Sequence, residues 1–201
     1  MKINPANAIT CTRLALIPVF GVLAVQYGNS VSAGHPVEWL RYAALASFII
    51  AASSDGLDGY IARKYNMTSK LGAVLDALAD KVLMLTGLIT LSFVSWGDGD
   101  WLIPKWYIIM VVGRDISIGI GCAMILSLGQ SLRVKPHWSG KATTVIQLFT
   151  LGWVMLKVVP WSPLYPTIVA AVLTLWSSWA YSLDCIQQLN RIGTGSDEPN
   201  R

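Results

Sequence analysis

Apolar residues run through this chain in six long blocks separated by short clusters of turn formers. The blocks fall at residues 8–27, 39–54, 71–96, 103–128, 141–159 and 164–186, each near the ~20 residues that cross a bilayer as a helix. Breaks fall at 28–36, 66–70, Gly97-Asp98-Gly99-Asp100, 129–139 and 160–163, where Gly, Pro, Asn and Ser gather. No internal repeat or low-complexity tract is present, and no stretch is left over for a sizeable soluble domain. The pattern predicts an all-α integral membrane bundle of six transmembrane helices, with residues 1–190 as one domain and 191–201 as a polar tail. The second and third helices are expected to run beyond the bilayer into the segment between them.

Composition agrees with the pattern. Of 201 residues 54% are hydrophobic and 13% charged, against about 25% charged in an ordinary soluble domain. The first ten residues lack a basic region followed by a short apolar core and a cleavage site, so the first block is expected to stay as a span. With both termini on one side, that side receives Lys2, Arg13, Arg63, Lys64, Lys70, Arg133, Lys135, Lys141, Arg191 and Arg201, and the other Arg41, Lys105 and Lys157. The positive-inside rule then places both termini, the 55–70 region and the 129–141 loop in the cytoplasm. Trp39, Trp96, Trp101, Trp106 and Trp161 gather toward the opposite ends, as an interfacial belt would. The net charge of +4 follows from this topology and from attraction to anionic lipid, so the bilayer and no nucleic acid is the expected partner. Cys11, Cys122 and Cys185 are far apart and read as small apolar residues. His137 reads as a solvated loop residue and His35 carries no role.

Four aspartates change the picture from membrane protein to membrane enzyme. Asp55, Asp58, Asp76 and Asp80 stand near the cytoplasmic ends of two consecutive apolar blocks. On helices, Asp55 and Asp58 (i, i+3) share a face, as do Asp76 and Asp80 (i, i+4). Packed as an antiparallel pair, the two helices would bring all four to one cavity, where they would repel one another and protonate unless cations neutralised them. Oxygen ligands favour magnesium, manganese or calcium over zinc. Two such ions could clamp a diphosphate, which points to phosphoryl transfer. Helix capping and pairing with Arg63, Lys64, Lys70 and Lys81 would account for one aspartate, but four at these spacings argue for a site. Gly59, Ala62 and Gly72 nearby would let a ligand or a neighbouring helix come close. A transporter would also place acids at membrane depth, but with inverted repeats; here the acids cluster in one half.

The segment Asp55-Gly-Leu-Asp58-Gly59-Tyr-Ile-Ala62-Arg63, followed by Gly72-Ala-Val-Leu-Asp76-Ala-Leu-Ala-Asp80, resembles the complete signature of the CDP-alcohol phosphotransferase family. The resemblance implies six membrane helices, with the signature on the second and third, and a homodimer. It implies that Asp55, Asp58, Asp76 and Asp80 hold two divalent ions, Mg2+ or Mn2+, and that Asp80 also serves as general base toward the acceptor alcohol. Gly59, Ala62, Arg63 and Gly72, together with Asp55 and Thr10, would bind the CDP donor.

The opening Asn4-Pro5-Ala-Asn7-Ala-Ile-Thr10-Cys-Thr-Arg13 is similar to the branch containing phosphatidylglycerophosphate synthases and eukaryotic-type cardiolipin synthases, which implies CDP-diacylglycerol as donor and a bacterial inner membrane as location. Arg13 reads equally as an interfacial residue with its head toward water. Arg114, Arg133, Lys135 and Lys141 are the candidates to meet an anionic acceptor, although Arg114 beside Asp115 also reads as a structural pair. Arg114-Asp115 lacks the second arginine usual in phosphatidylglycerophosphate synthases, and the stretch from Arg133 to Leu148 is similar to cardiolipin synthases. Gly140-Lys141 and Ala77 depart from the latter. The expected reaction is transfer of a phosphatidyl group to phosphatidylglycerol, giving cardiolipin and CMP, with glycerol 3-phosphate as the alternative acceptor.

Overall fold

The computed structural model describes residues 5–64, 70–97, 101–127, 138–157 and 161–193. Among the described residues the fold is entirely helical, with six helices in chain order: α1 (Pro5–Ser32), α2 (Glu38–Lys64), α3 (Lys70–Phe93), α4 (Lys105–Ser127), α5 (Trp138–Leu156) and α6 (Leu164–Gly193). α1 packs along α2 and α3, α4 and α5 both pack on α6, and the two groups are joined by α2 meeting α5 and α3 meeting α4 and α5.

The outer surface is apolar. Ile50, Ile89, Ile109, Phe149, Val172 and Trp176 are all more than 48% exposed, a surface that water would not tolerate and that lipid requires. Three segments, Thr12–Ser32, Lys105–Ile125 and Leu164–Gln188, are long and apolar enough to cross a membrane, so the chain is an integral membrane protein. α2 and α3 fall short of that standard because their charged residues, Asp55 to Lys64 and Asp76 to Lys81, interrupt the apolar run.

Inside the bundle, small and hydroxyl-bearing residues replace the hydrophobic drive that lipid removes. On α5, Gln147 Nε2 donates to Thr174 Oγ1 on α6 at 3.1 Å, and Thr143 Oγ1 donates to the Leu173 carbonyl at 3.3 Å. Tyr27, Glu38, Arg41 and Lys157 close the opposite end from the aspartates. Arg41 donates from Nε to Glu38 Oε2 and from Nη1 to the Leu156 carbonyl, both at 2.7 Å, which caps the end of α5. Lys157 follows with φ 51°, the left-handed turn that ends many helices.

Three expectations need correction. Gly28 was expected to break the first helix, yet α1 continues through it to Ser32. It serves packing: a Cβ there would lie 1.9 Å from Val94 Cγ1. Trp96 does not join an interfacial belt; it is fully buried, with its ring 4.9 Å from that of Tyr27, and Trp101 turns its N–H to the Val154 carbonyl at 3.0 Å. These two indoles fill the end of the bundle, while Trp39 and Trp161 remain exposed. Finally, α6 runs to Gly193, into the stretch expected as tail; residues 194–201 lie outside those described.

Gly28→Ala is expected to lower stability by about 1–3 kcal/mol, the usual cost of forcing extra volume into a packed contact. Gly152→Ala, where a Cβ meets nothing within 4 Å, should be neutral or slightly stabilising. Unfolding of both variants in detergent, followed against the parent, checks the pair.

Candidate active site

The candidate site is built on α3, which carries Asp76, Asp80 and Lys81, with α1 supplying Arg13 and α4 Arg114 and Asp115. The α-helical backbone places Asp76 and Asp80 one turn apart on one face, and they meet a common partner. Arg13 on α1 donates from the single nitrogen Nη1 to Asp76 Oδ1 at 2.8 Å and to Asp80 Oδ1 at 3.1 Å. Its side chain is 0% exposed, those of the aspartates 34% and 41%. An arginine so buried needs its charge met, and two carboxylates so close need a cation between them. The interaction satisfies both requirements.

Lys81, the next residue, reaches another helix. Its ammonium pairs with Oδ2 of Asp115 on α4, whose Oδ1 accepts from Arg114 Nη1 at 3.0 Å. Arg114 is buried; its Nη2 donates to Ser177 Oγ on α6 at 3.1 Å, and its guanidinium carbon lies 5.8 Å from the centre of the Tyr181 ring. Its Nε–H is buried without a hydrogen-bond partner among the described residues. Arg114 lines a cavity of about 280 Å³ between α4 and α6, with Ser117, Ser178, Tyr181 and Ser182 among largely apolar walls. Cys122 and Cys185, free and half-buried, line it too.

The other expected site residues divide by where they fall. Asp55, Asp58, Gly59, Ala62 and Arg63 lie within α2, Thr10 within α1 and Lys141 within α5, but their side chains are outside those described. Gly72 stands one turn before Asp76 on α3. Arg133, Lys135 and His137 lie outside the described residues. Sequence reasoning missed the engagement of Arg13 with the aspartates, the Lys81–Asp115 pair and Ser177. That Arg13 and Lys81 need acids follows from their place in apolar helices, but which acids they meet depends on the packing of α1, α3 and α4.

A family model described as CDP-alcohol phosphatidyltransferase matches residues 3–183. The chain belongs to the CDP-alcohol phosphatidyltransferase family, and is therefore an enzyme that works in the membrane on a CDP-alcohol donor and an alcohol acceptor. It is 34% identical over 187 residues to the CDP-diacylglycerol--glycerol-3-phosphate 3-phosphatidyltransferase of Escherichia coli (strain K12), a match covering 90% of this chain and 94% of that protein. The protein of the same name from Shigella flexneri serotype 5b (strain 8401) is 35% identical over 188 residues, with the same coverage.

The family generally uses divalent metal ions. The donor set here fits one: two carboxylate oxygens converge on a single point, now held by one guanidinium nitrogen, and hard oxygen donors suit Mg2+ or Mn2+. Among the described residues no group of three metal-ligating side chains gathers, the side chains of Asp55 and Asp58 lying outside them.

Arg13→Gln should cost about 1–3 kcal/mol of stability in metal-free buffer, because it strips a charged partner from two close carboxylates. Added Mg2+ should restore part of the loss, and Asp76→Asn in the same background should weaken that rescue. Thermal unfolding with and without Mg2+ measures both effects.

Proposed function

We propose that this enzyme is a phosphatidylglycerophosphate synthase, transferring the phosphatidyl group of CDP-diacylglycerol to glycerol 3-phosphate. A glycerol hydroxyl oxygen attacks the phosphorus that carries the diacylglycerol, the bond from that phosphorus to the CMP oxygen breaks, and CMP leaves. The observation that carries this choice of acceptor is the similarity, over 90% of the chain, to relatives named for glycerol 3-phosphate. It outweighs the sequence features that favoured phosphatidylglycerol, of which the Arg133–Lys135 stretch lies outside the described residues. Gly140-Lys141 and the modest cavity beside Arg114 suit a small anionic acceptor.

In this reading Asp55, Asp58 and Asp76 hold the divalent ions, and Asp80 completes the set and takes the proton of the acceptor hydroxyl. Bound ions would neutralise the donor diphosphate and the charge that develops on it. Thr10, Gly59, Ala62, Arg63 and Gly72 line the donor side. Arg114 meets the acceptor phosphate, since a guanidinium offers a planar fork and this one retains a buried N–H donor; Arg133, Lys135 and Lys141 add positive charge at the mouth.

The proposal includes six membrane crossings, supported by outward apolar residues on the helices that fall short on composition: Ile49 and Ile50 on α2, Ile89 and Phe93 on α3, Val145 and Phe149 on α5. It also includes a homodimer, from family resemblance, and a bacterial inner membrane with the aspartates and both termini in the cytoplasm, from the charge asymmetry of the loops.

Purified enzyme given CDP-diacylglycerol with glycerol 3-phosphate or phosphatidylglycerol in turn should release CMP with the first and form phosphatidylglycerophosphate; cardiolipin formed from the second alone would overturn the assignment. Chelation or Asp76→Asn should remove nearly all turnover. Asp80→Asn should lower kcat by about 10²–10⁴ while donor affinity, measured directly, changes little. If donor affinity collapses with turnover intact at saturation, Asp80 is a ligand without the base role.

A further inference from the structure

Asp115 stands between the two halves of the site and uses a different oxygen for each. Oδ2 accepts from Lys81 on α3, the residue next to Asp80, and Oδ1 accepts from Arg114 Nη1 at 3.0 Å. Arg114 is gripped a second time, from α6, by Ser177 Oγ at 3.1 Å on Nη2. A planar group held at both terminal nitrogens cannot turn without breaking one bond, so its Nε–H, buried without a partner among the described residues, is fixed in direction. Donors fixed in advance are the ones that spend no energy on reorganising when a ligand arrives.

We propose that Asp115 is a positioning residue for the acceptor: its carboxylate fixes the Arg114 guanidinium relative to the α3 helix that carries Asp76 and Asp80. This rests on the reading of Arg114 as the group that meets the acceptor phosphate. Distance between hydroxyl and base depends on where the acceptor's phosphate is anchored, because the two lie on one small molecule. An error of an ångström at the anchor is transmitted to the reacting oxygen. The carboxylate has a second effect. Without it Lys81 and Arg114 are like charges with no counter-charge between them, and Lys81 is released beside Asp80 in sequence, where its ammonium competes for the carboxylates of the reaction.

A purely structural ion pair predicts something different. The side chains of Lys81 and Asp115 are 45% and 25% exposed, and pairs that meet water contribute little stability. Asp115 also meets the buried Arg114, so its loss lowers Tm on either account, and the KM for the acceptor is the reading that separates positioning from a structural pair.

The test uses the full-length enzyme in detergent with saturating Mg2+, measuring Tm, kcat and the separate KM values for glycerol 3-phosphate and CDP-diacylglycerol. Asp115→Asn should raise KM for glycerol 3-phosphate roughly tenfold, the equivalent of one charge-assisted hydrogen bond, and lower kcat, with KM for CDP-diacylglycerol within about twofold. Asp115→Glu, which keeps the charge, should recover most of the loss. The exchange Lys81→Asp with Asp115→Lys restores the attraction between α3 and α4 but sets a lysine beside Arg114, so Tm should recover and the acceptor KM should not. A fall in Tm with both KM values unchanged in Asp115→Asn, or kinetics restored by the exchange, overturns the proposal. Arg114→Lys separates this from failure of the underlying reading. If it raises the acceptor KM while Asp115→Asn does not, positioning by Asp115 is wrong and the acceptor site stands. If neither moves that KM, the acceptor reading of Arg114 falls, and the proposal with it.

Discussion

Arg13 is buried completely inside an apolar bundle, and the two carboxylates it touches sit one turn apart on another helix. Each side of that contact would be untenable alone. An arginine with no acid would hold an uncompensated charge in a low-dielectric interior, and Asp76 and Asp80 without a cation would repel one another. The contact therefore fixes how α1 lies on α3. Small residues let the two helices follow that alignment along their length: Gly21 approaches the methyl of Thr86 and Gly28 the side chain of Val94. α2, which carries Asp55 and Asp58, packs along α1. The two signature helices are thus set relative to each other through α1 as well as by their own contact.

The far end of the bundle does different work. There Tyr27 Oη donates to Glu38 Oε1 at 3.3 Å, Arg41 pairs with Glu38 and caps the carbonyl end of α5, and Lys157 approaches the Tyr27 ring. Arg41 and Lys157 count against the side they occupy in a tally of positive charge, yet each has a local task that no tally shows. Orphan carbonyls at the end of a membrane helix need donors, and Arg41 supplies one. The candidate site lies at the other end, with the aspartates.

How much of this the sequence reveals depends on whether the controlling force is local. The six helices were legible because lipid demands about twenty apolar residues in a row, and the i, i+4 spacing of Asp76 and Asp80 needs nothing beyond a helix. Gly28 was misleading for a physical reason: glycine as a turn former presumes a chain that bends into water, while in a membrane bundle it marks close approach of helices. Trp96 was misleading in the same way, since an indole near a helix end can fill the bundle as well as face the headgroups. Lys81–Asp115 and Arg114–Ser177 join residues 34 and 63 positions apart. They depend on how α3, α4 and α6 pack, which periodicity does not encode. Branch motifs weighed toward phosphatidylglycerol, whereas similarity along the whole chain supports glycerol 3-phosphate, because short motifs sample few of the contacts that select an acceptor.

The charges of the described site sum to zero. Arg13, Lys81 and Arg114 are met by Asp76, Asp80 and Asp115, three cations against three carboxylates. A balanced network is stable at membrane depth without a ligand, but its three described cations are already engaged when a donor diphosphate and an anionic acceptor arrive together. Binding them requires either that carboxylates give up their internal cations or that new cations enter. Divalent ions, which the family generally uses, would do the second with the fewest particles, at carboxylates that already converge on one point. Arg114 keeps a buried Nε–H without a hydrogen-bond partner among the described residues, which in the proposed reading would take an anion without releasing Asp115. In the proposed reading the network would respond differently at its two ends: exchange of a cation at the aspartates, and direct addition of an anion at Arg114. Asp115, which pairs with Arg114 and with Lys81, the neighbour of Asp80 in sequence, would link the two.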